Sequence, residues 1–161
     1  MATDVETVRA ANEAYYAALS ARDLMTMEQL WSRSPDDVNV APPIRPVAHR
    51  GWAAVRDNYE QYWSSLDALT VSMAQPAIKV EGDVAWVFGT AQAARRFKDG
   101  QANSGPTFDT SIFVKRDGRW LICAVTSMTR SQSSGMIRGH TDSRATAPKS
   151  IGSSGMRWSK D

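Results

Sequence analysis

The stretch FDTSIFVKRDGRWLICAVTSM, Phe108–Met128, decides the fold. Two apolar-rich runs flank Asp117-Gly118. Asp-Gly between such runs is a hairpin signal, because both central residues of the tight turn need positive φ. The runs read as strands over Thr107–Arg116 and Arg119–Arg130. Strict alternation places Thr107, Asp109, Ser111 and Phe113 on one face, with Phe108, Thr110, Ile112 and Val114 on the other. On the second run it groups Trp120, Ile122, Ala124, Thr126 and Met128, opposite Leu121, Cys123 and Val125. Both faces of that strand are apolar enough that both are expected to be covered.

Upstream, Leu69–Glu81 and Val84–Phe97 read as two more strands joined at Glu81-Gly82-Asp83, and Lys98–Pro106 as a flexible loop. Pro76 marks an edge position or a bulge in the first of them. Before these strands the period is helical. Trp52, Val55, Tyr59, Tyr62, Trp63 and Leu66 form one face of a helix that begins near Gly51. Thr3-x-x-Glu6 is a capping box that opens a helix over Asp4–Ala21, with Val5, Val8, Tyr15 and Leu19 on its apolar face. Asp23 caps a short helix that carries Leu24, Met27, Leu30 and Trp31. Ser34–Asp37 reads as a turn with solvated Asp36 and Asp37, and Val38–Ala41 as a short strand stopped by Pro42-Pro43. The order of helices, short strand, helix and four antiparallel strands is α+β, with three N-terminal helices on one face of a curved, mainly antiparallel sheet.

Composition narrows the function classes. A chain of 161 residues, 42% hydrophobic, can bury one core. Nineteen basic against seventeen acidic residues give a net charge of +2, which argues against a nucleic-acid or membrane partner. No apolar run approaches the ~20 residues of a membrane span. MATDVETV at the start has no signal-peptide character, so a cytoplasmic protein is expected. The single cysteine, Cys123, excludes an intramolecular disulfide and lies in an apolar run that suits a buried thiol. His49, His140 and Cys123 show no metal-ligand spacing, and no glycine-rich phosphate motif occurs, so no cofactor is expected. Residues 131–161 are rich in Ser, Gly and Thr and read as a disordered tail after a domain over 1–130.

The segments YYAALSARDLMTMEQLW (Tyr15–Trp31), HRGWAAVRDNYEQYW (His49–Trp63) and the closing hairpin occur in an order that resembles the NTF2-like superfamily. That superfamily includes ketosteroid isomerase, scytalone dehydratase and the SnoaL-like polyketide cyclases. The resemblance spans residues 3–130. It implies a cone-shaped fold, a pocket between the concave sheet face and the helices, a small hydrophobic ligand, and a homodimer formed through the sheet. It also implies site residues. Tyr15 falls where the isomerase family keeps its catalytic Tyr, with Tyr16 one register away. Asp109 falls where that family keeps a protonated Asp that stabilises an oxyanion. The family's base, an Asp before a Pro, is replaced by Ala41 before Pro42. The two His of many SnoaL-like closing strands are replaced by Ala124 and Thr126. His49, flanked by Arg45 and Arg50, is the remaining proton-transfer candidate, with an unperturbed pKa of ~6.5. Expected ligand-binding residues are Tyr16, Trp31, Asn39, Tyr59, Trp63, Trp86, Phe88, Trp120, Thr126 and Met128. Two functions follow from the resemblance: a cofactor-independent isomerase, cyclase or dehydratase acting on a carbonyl compound, or a non-catalytic ligand-binding or dimerising module.

Overall fold

A computed structural model describes residues 2–40 and 47–129. The chain divides into the units Met1–Ser131 and Gln132–Asp161, and the second lies outside the described residues. So do Ala41, Pro42, Arg45 and His140, and the expected tail. The elements are α1 (Asp4–Ala21), α2 (Leu24–Leu30), β1 (Val38–Val40), β2 (His49–Arg50), α3 (Trp52–Ser64), β3 (Leu66–Met73), β4 (Ala77–Glu81), β5 (Val84–Phe97), β6 (Ala102–Arg116) and β7 (Arg119–Thr129).

The helix ends follow their local chemistry. Thr3 Oγ1 accepts from the Glu6 amide, and Glu6 accepts from the Thr3 amide, which closes the capping box. Asp23 caps α2 by accepting from the Thr26 amide. Gly51 precedes α3 at φ 78°, a conformation that disfavours a side chain, and its N–H donates to Asp37 O at 2.7 Å. Asp4 ties the start of α1 to the sheet through Lys115 Nζ at 2.7 Å and Trp120 Nε1 at 3.0 Å.

The strands form one open, curved sheet in the order β2-β1-β7-β6-β5-β3, with β4 also pairing β5. Every pairing is antiparallel except β1 with β7. The three helices pack on one face, giving the cone-shaped α+β architecture. Asp117 and Gly118 take φ values of 49° and 76°, as the hairpin signal requires. Pro76 lies between β3 and β4, so the single strand expected over Leu69–Glu81 is two edge segments, both paired to β5. The expected loop over Lys98–Pro106 is shorter, because β6 already begins at Ala102 and pairs with the end of β5.

Alternation holds on β6. Thr107, Asp109, Ser111 and Phe113 are buried on the helix-facing side. On β5 the inward set is small, with Ala85, Val87, Ala91 and Ala93 beneath the helices. Trp86 and Phe88 point to the other face, Trp86 under Lys79 Nζ at 5.5 Å and Phe88 47% exposed.

On β7 the expected face is broken. Phe113 pairs with Ile122, yet Ile112 pairs with Ala124, so Cys123 is an extra residue. A one-residue bulge exchanges the two faces of everything beyond it. Trp120 and Ile122 therefore share the inner face with Val125 and Ser127, whose strand partners Ser111 and Asp109 are buried there. Ala124, Thr126 and Met128 turn to the outer face, where Met128 is 63% exposed.

Candidate functional site

A cleft opens between the inner sheet face and the helices. Tyr15 and Leu19 from α1, Asn58, Tyr59 and Tyr62 from α3, Val71, Arg95, Thr107, Asp109 and Ser127 from the strands line it. The helix contributions follow from spacing: Tyr15 and Leu19 are one turn apart, as are Asn58 and Tyr62. The strand contributions sit on paired inner positions, with Asp109 opposite Ser127. Its free volume is about 40 Å³. That enclosed part has room for a few water-sized groups, well below the ~300–1,000 Å³ of pockets for drug-sized ligands, and the cleft continues open to solvent, with Arg95 half-buried.

Asp109 is the carboxylate of this cleft, and both of its oxygens are held. Tyr16 Oη donates to Oδ2 at 2.8 Å and Ser127 Oγ donates to Oδ1 at 2.6 Å. These two partners come from α1 and β7, so the carboxylate is fixed between the helix layer and the sheet. Tyr15 Oη and Tyr59 Oη form a second pair at 3.2 Å. Burial drives the Tyr15, Tyr16 and Tyr59 phenols well above their usual range. They therefore stay protonated hydroxyls at any working pH. The Tyr59 ring stacks on Trp63, with centroids 5.3 Å apart, and meets Trp31 edge-on at 6.4 Å. At the far end, Arg95 Nε donates to Tyr62 Oη at 2.7 Å.

The expected residues thus separate into groups. Tyr15, Tyr59 and Asp109 converge on the cleft, and Tyr16 stands behind Asp109 as its donor. Trp31, Trp63 and Asn39 are buried behind Tyr59. The Asn39 amide and the Trp31 indole N–H approach the Tyr59 hydroxyl without completing a hydrogen bond. Trp120 is buried beside the start of α1. Trp86, Phe88, Thr126 and Met128 do not face the cleft, because β5 turns its small residues inward and the Cys123 bulge reverses β7. His49 sits on β2 opposite Asn39 and does not line the cleft. Asp37, expected in solvent, is fully buried and is held by Ser32 Oγ and the Ser34 amide.

Leu19, Asn58, Tyr62, Val71, Arg95, Thr107 and Ser127 were not among the expected site residues. Thr107 was visible in principle, since it shares Asp109's alternation. Ser127 was hidden by the bulge. No three His, Cys, Asp or Glu side chains cluster among the described residues, and no described helix is long and apolar enough to cross a membrane.

A family model described as "SnoaL-like domain" matches residues 8–131. Among solved structures, an NTF2-like superfamily protein from Salmonella enterica serovar Typhimurium is 21% identical with a TM-score of 0.72, covering 84% of this chain and 96% of its own. A protein from Streptomyces avermitilis, described as a dehydratase of the NTF2-like family, is 20% identical with a TM-score of 0.70, covering 80% and 98%. The hexachlorocyclohexane dehydrochlorinase LinA-type3 from Novosphingobium barchaimii is 14% identical with a TM-score of 0.67, covering 78% and 86%. No curated protein matches the sequence significantly. At these identities the solved structures establish the fold alone.

Proposed function

The chain belongs to the SnoaL-like domain family on the NTF2-like fold, and we propose that it is a cofactor-independent enzyme that moves a proton on a compact carbonyl compound. The observation that carries this reading is the geometry of Asp109. It is a carboxylate only 7% exposed, facing the cleft, with each oxygen held by a separate hydroxyl. Held in this way it can transfer a proton at one fixed position, which is what general acid–base catalysis needs.

The Tyr15–Tyr59 pair supplies the other half. One hydroxyl donates to the other, so one O–H remains for a substrate oxygen. Raised phenol pKa values keep that donor protonated while negative charge develops on the oxygen. In the proposed step Asp109 takes a proton from the carbon beside the carbonyl, and Tyr15 stabilises the enolate oxygen. Returning the proton at a different carbon gives isomerisation, expulsion of a leaving group gives elimination, and attack on a second carbonyl gives cyclisation. The dehydratase and dehydrochlorinase descriptions of two structural neighbours both denote eliminations, which favours the second outcome.

The test is hydrogen–deuterium exchange at the α-carbons of butanone and 4-oxopentanoate in D₂O, followed by proton NMR. Wild-type protein is expected to accelerate exchange, and Asp109→Asn to lose about two orders of magnitude of that acceleration. Exchange no faster than buffer with either compound, or equal rates for the two proteins, contradicts the reading.

The alternative is a non-catalytic module that dimerises through the sheet. The outer face favours this as an additional property: Phe88, Phe108 and Met128 are 47%, 54% and 63% exposed. A contiguous apolar patch of this kind is an interface signal.

A further inference from the structure

The cleft holds more donors than acceptors, and the excess is concentrated at one end. Arg95 lies in none of the ion pairs among the described residues. Its guanidinium donates to the neutral Tyr62 hydroxyl at 2.7 Å and reaches Asn103 Oδ1 at 3.5 Å, and neither partner cancels its charge. Tyr62 accepts that bond, so its own O–H has no acceptor among the described residues. Thr107 adds an independent sign. It lines the same cleft at 2% exposure, and its Oγ1 has no hydrogen-bond partner. A buried hydroxyl left without a partner is costly unless something else fills the site.

Asp109 does not neutralise Arg95. Gly89, the β5 partner of Asp109, is six residues from Arg95, so the two backbones are roughly 20 Å apart along the strand, and the long Arg95 side chain shortens the gap between the charges without closing it to an ion pair. The two charges therefore mark opposite ends of one cleft. The oxygens of Asp109 are already engaged by Tyr16 and Ser127. What remains unsatisfied is a cation and hydroxyl donors, the complement of an oxyanion.

We infer that the Arg95–Tyr62 end of the cleft is a carboxylate subsite, with the Thr107 hydroxyl between it and Asp109, and that the substrate is a compact monocarboxylic oxo-acid. This rests on the cleft being the reaction site proposed above. A carboxylate suits the planar guanidinium fork, and its single charge matches a single arginine. A phosphate dianion would leave one charge uncompensated in a cleft that also contains Asp109. The subsite orients the substrate: the carboxylate sits on Arg95, and the carbonyl end extends toward Tyr15 and Asp109.

Isothermal titration calorimetry tests this with 4-oxopentanoate, its methyl ester and inorganic phosphate. The acid is expected to bind wild-type protein about tenfold or more tightly than the ester. Arg95→Gln is expected to remove that preference. Tyr62→Phe, which keeps the charge, is expected to weaken the acid by a smaller factor. Asp109→Asn is expected to bind the acid at least as well as wild type, even with exchange chemistry lost. Equal binding of acid and ester, no binding of the acid, an acid preference retained in Arg95→Gln, or tighter binding of phosphate each overturns the assignment. Asp109→Asn protein that still catalyses exchange overturns the proton-transfer reading and leaves this subsite standing, so the two fail separately.

Discussion

Tyr16→Phe removes one oxygen atom and changes little else, which makes it a clean probe of how Asp109 is held. The Tyr16 hydroxyl is buried and donates to Asp109 Oδ2 at 2.8 Å. A hydrogen bond to a charged group contributes about 1.5–3 kcal/mol. Ser127 continues to hold Oδ1, so the carboxylate keeps one donor and the lower half of that range applies. The expected loss is about 2 kcal/mol. For a folded unit the size of Met1–Ser131 this is a fall in Tm of roughly 8 °C. Thermal and urea unfolding followed by circular dichroism measure it. The cost belongs to the Asp109 contact only if it depends on Asp109. In an Asp109→Ala background the hydroxyl has lost its acceptor, and Tyr16→Phe is expected to be neutral or stabilising. A loss under about 0.5 kcal/mol, or the same loss in both backgrounds, refutes the reasoning.

Three more expectations follow from particular contacts. Tyr15, Tyr16 and Tyr59 have folded pKa values raised by burial, so the unfolded chain ionises first as pH rises. Stability therefore falls above pH ~10, and most of the phenolate absorbance at 295 nm is expected to appear together with unfolding; a smooth rise in folded protein would contradict the burial. Asp37 also has a raised folded pKa, mainly from burial, above an ordinary value of 3.8. Its folded state holds the proton more tightly, so its contribution favours folding at low pH and is lost as pH rises from about 3.8 through the folded value. The stability of wild type relative to Asp37→Asn is thus expected to fall as pH rises above about 3.8, and a rise would reverse the sign. Phe108→Glu with Met128→Glu places charge on the outer sheet face and is expected to shift sedimentation toward a monomer; a wild type that sediments as a monomer at high concentration removes the interface.

Features set by neighbouring residues could be read directly. The capping box at Thr3 and Glu6, the stripe of α3 and the Asp117-Gly118 turn each depend on a few adjacent side chains, and each formed as its chemistry dictates. That Thr107 and Asp109 share one face was legible for the same reason, whereas which face turns toward the helices was not. The site required register across strands, which is not local. The bulge at Cys123 has no glycine or proline to announce it, yet it moves Ser127 into the cleft and Thr126 and Met128 out of it. Aromatic content misled on β5. Small inward residues there let the helices approach, so Trp86 and Phe88 take the opposite face. Arg95 was overlooked because its meaning depends on Tyr62, thirty-three positions away in sequence. Asp37 was read as a solvated turn residue because its burial depends on contacts with the rest of the fold.

The most direct test of the central claim is a crystal soaked with 4-oxopentanoate. The account predicts density in the cleft, with the ketone oxygen within hydrogen-bond distance of the Tyr15–Tyr59 pair, the adjacent carbon facing Asp109, and the carboxylate on Arg95. Ligand bound only on the outer sheet face, with the cleft between Tyr15 and Asp109 left to water, would contradict it.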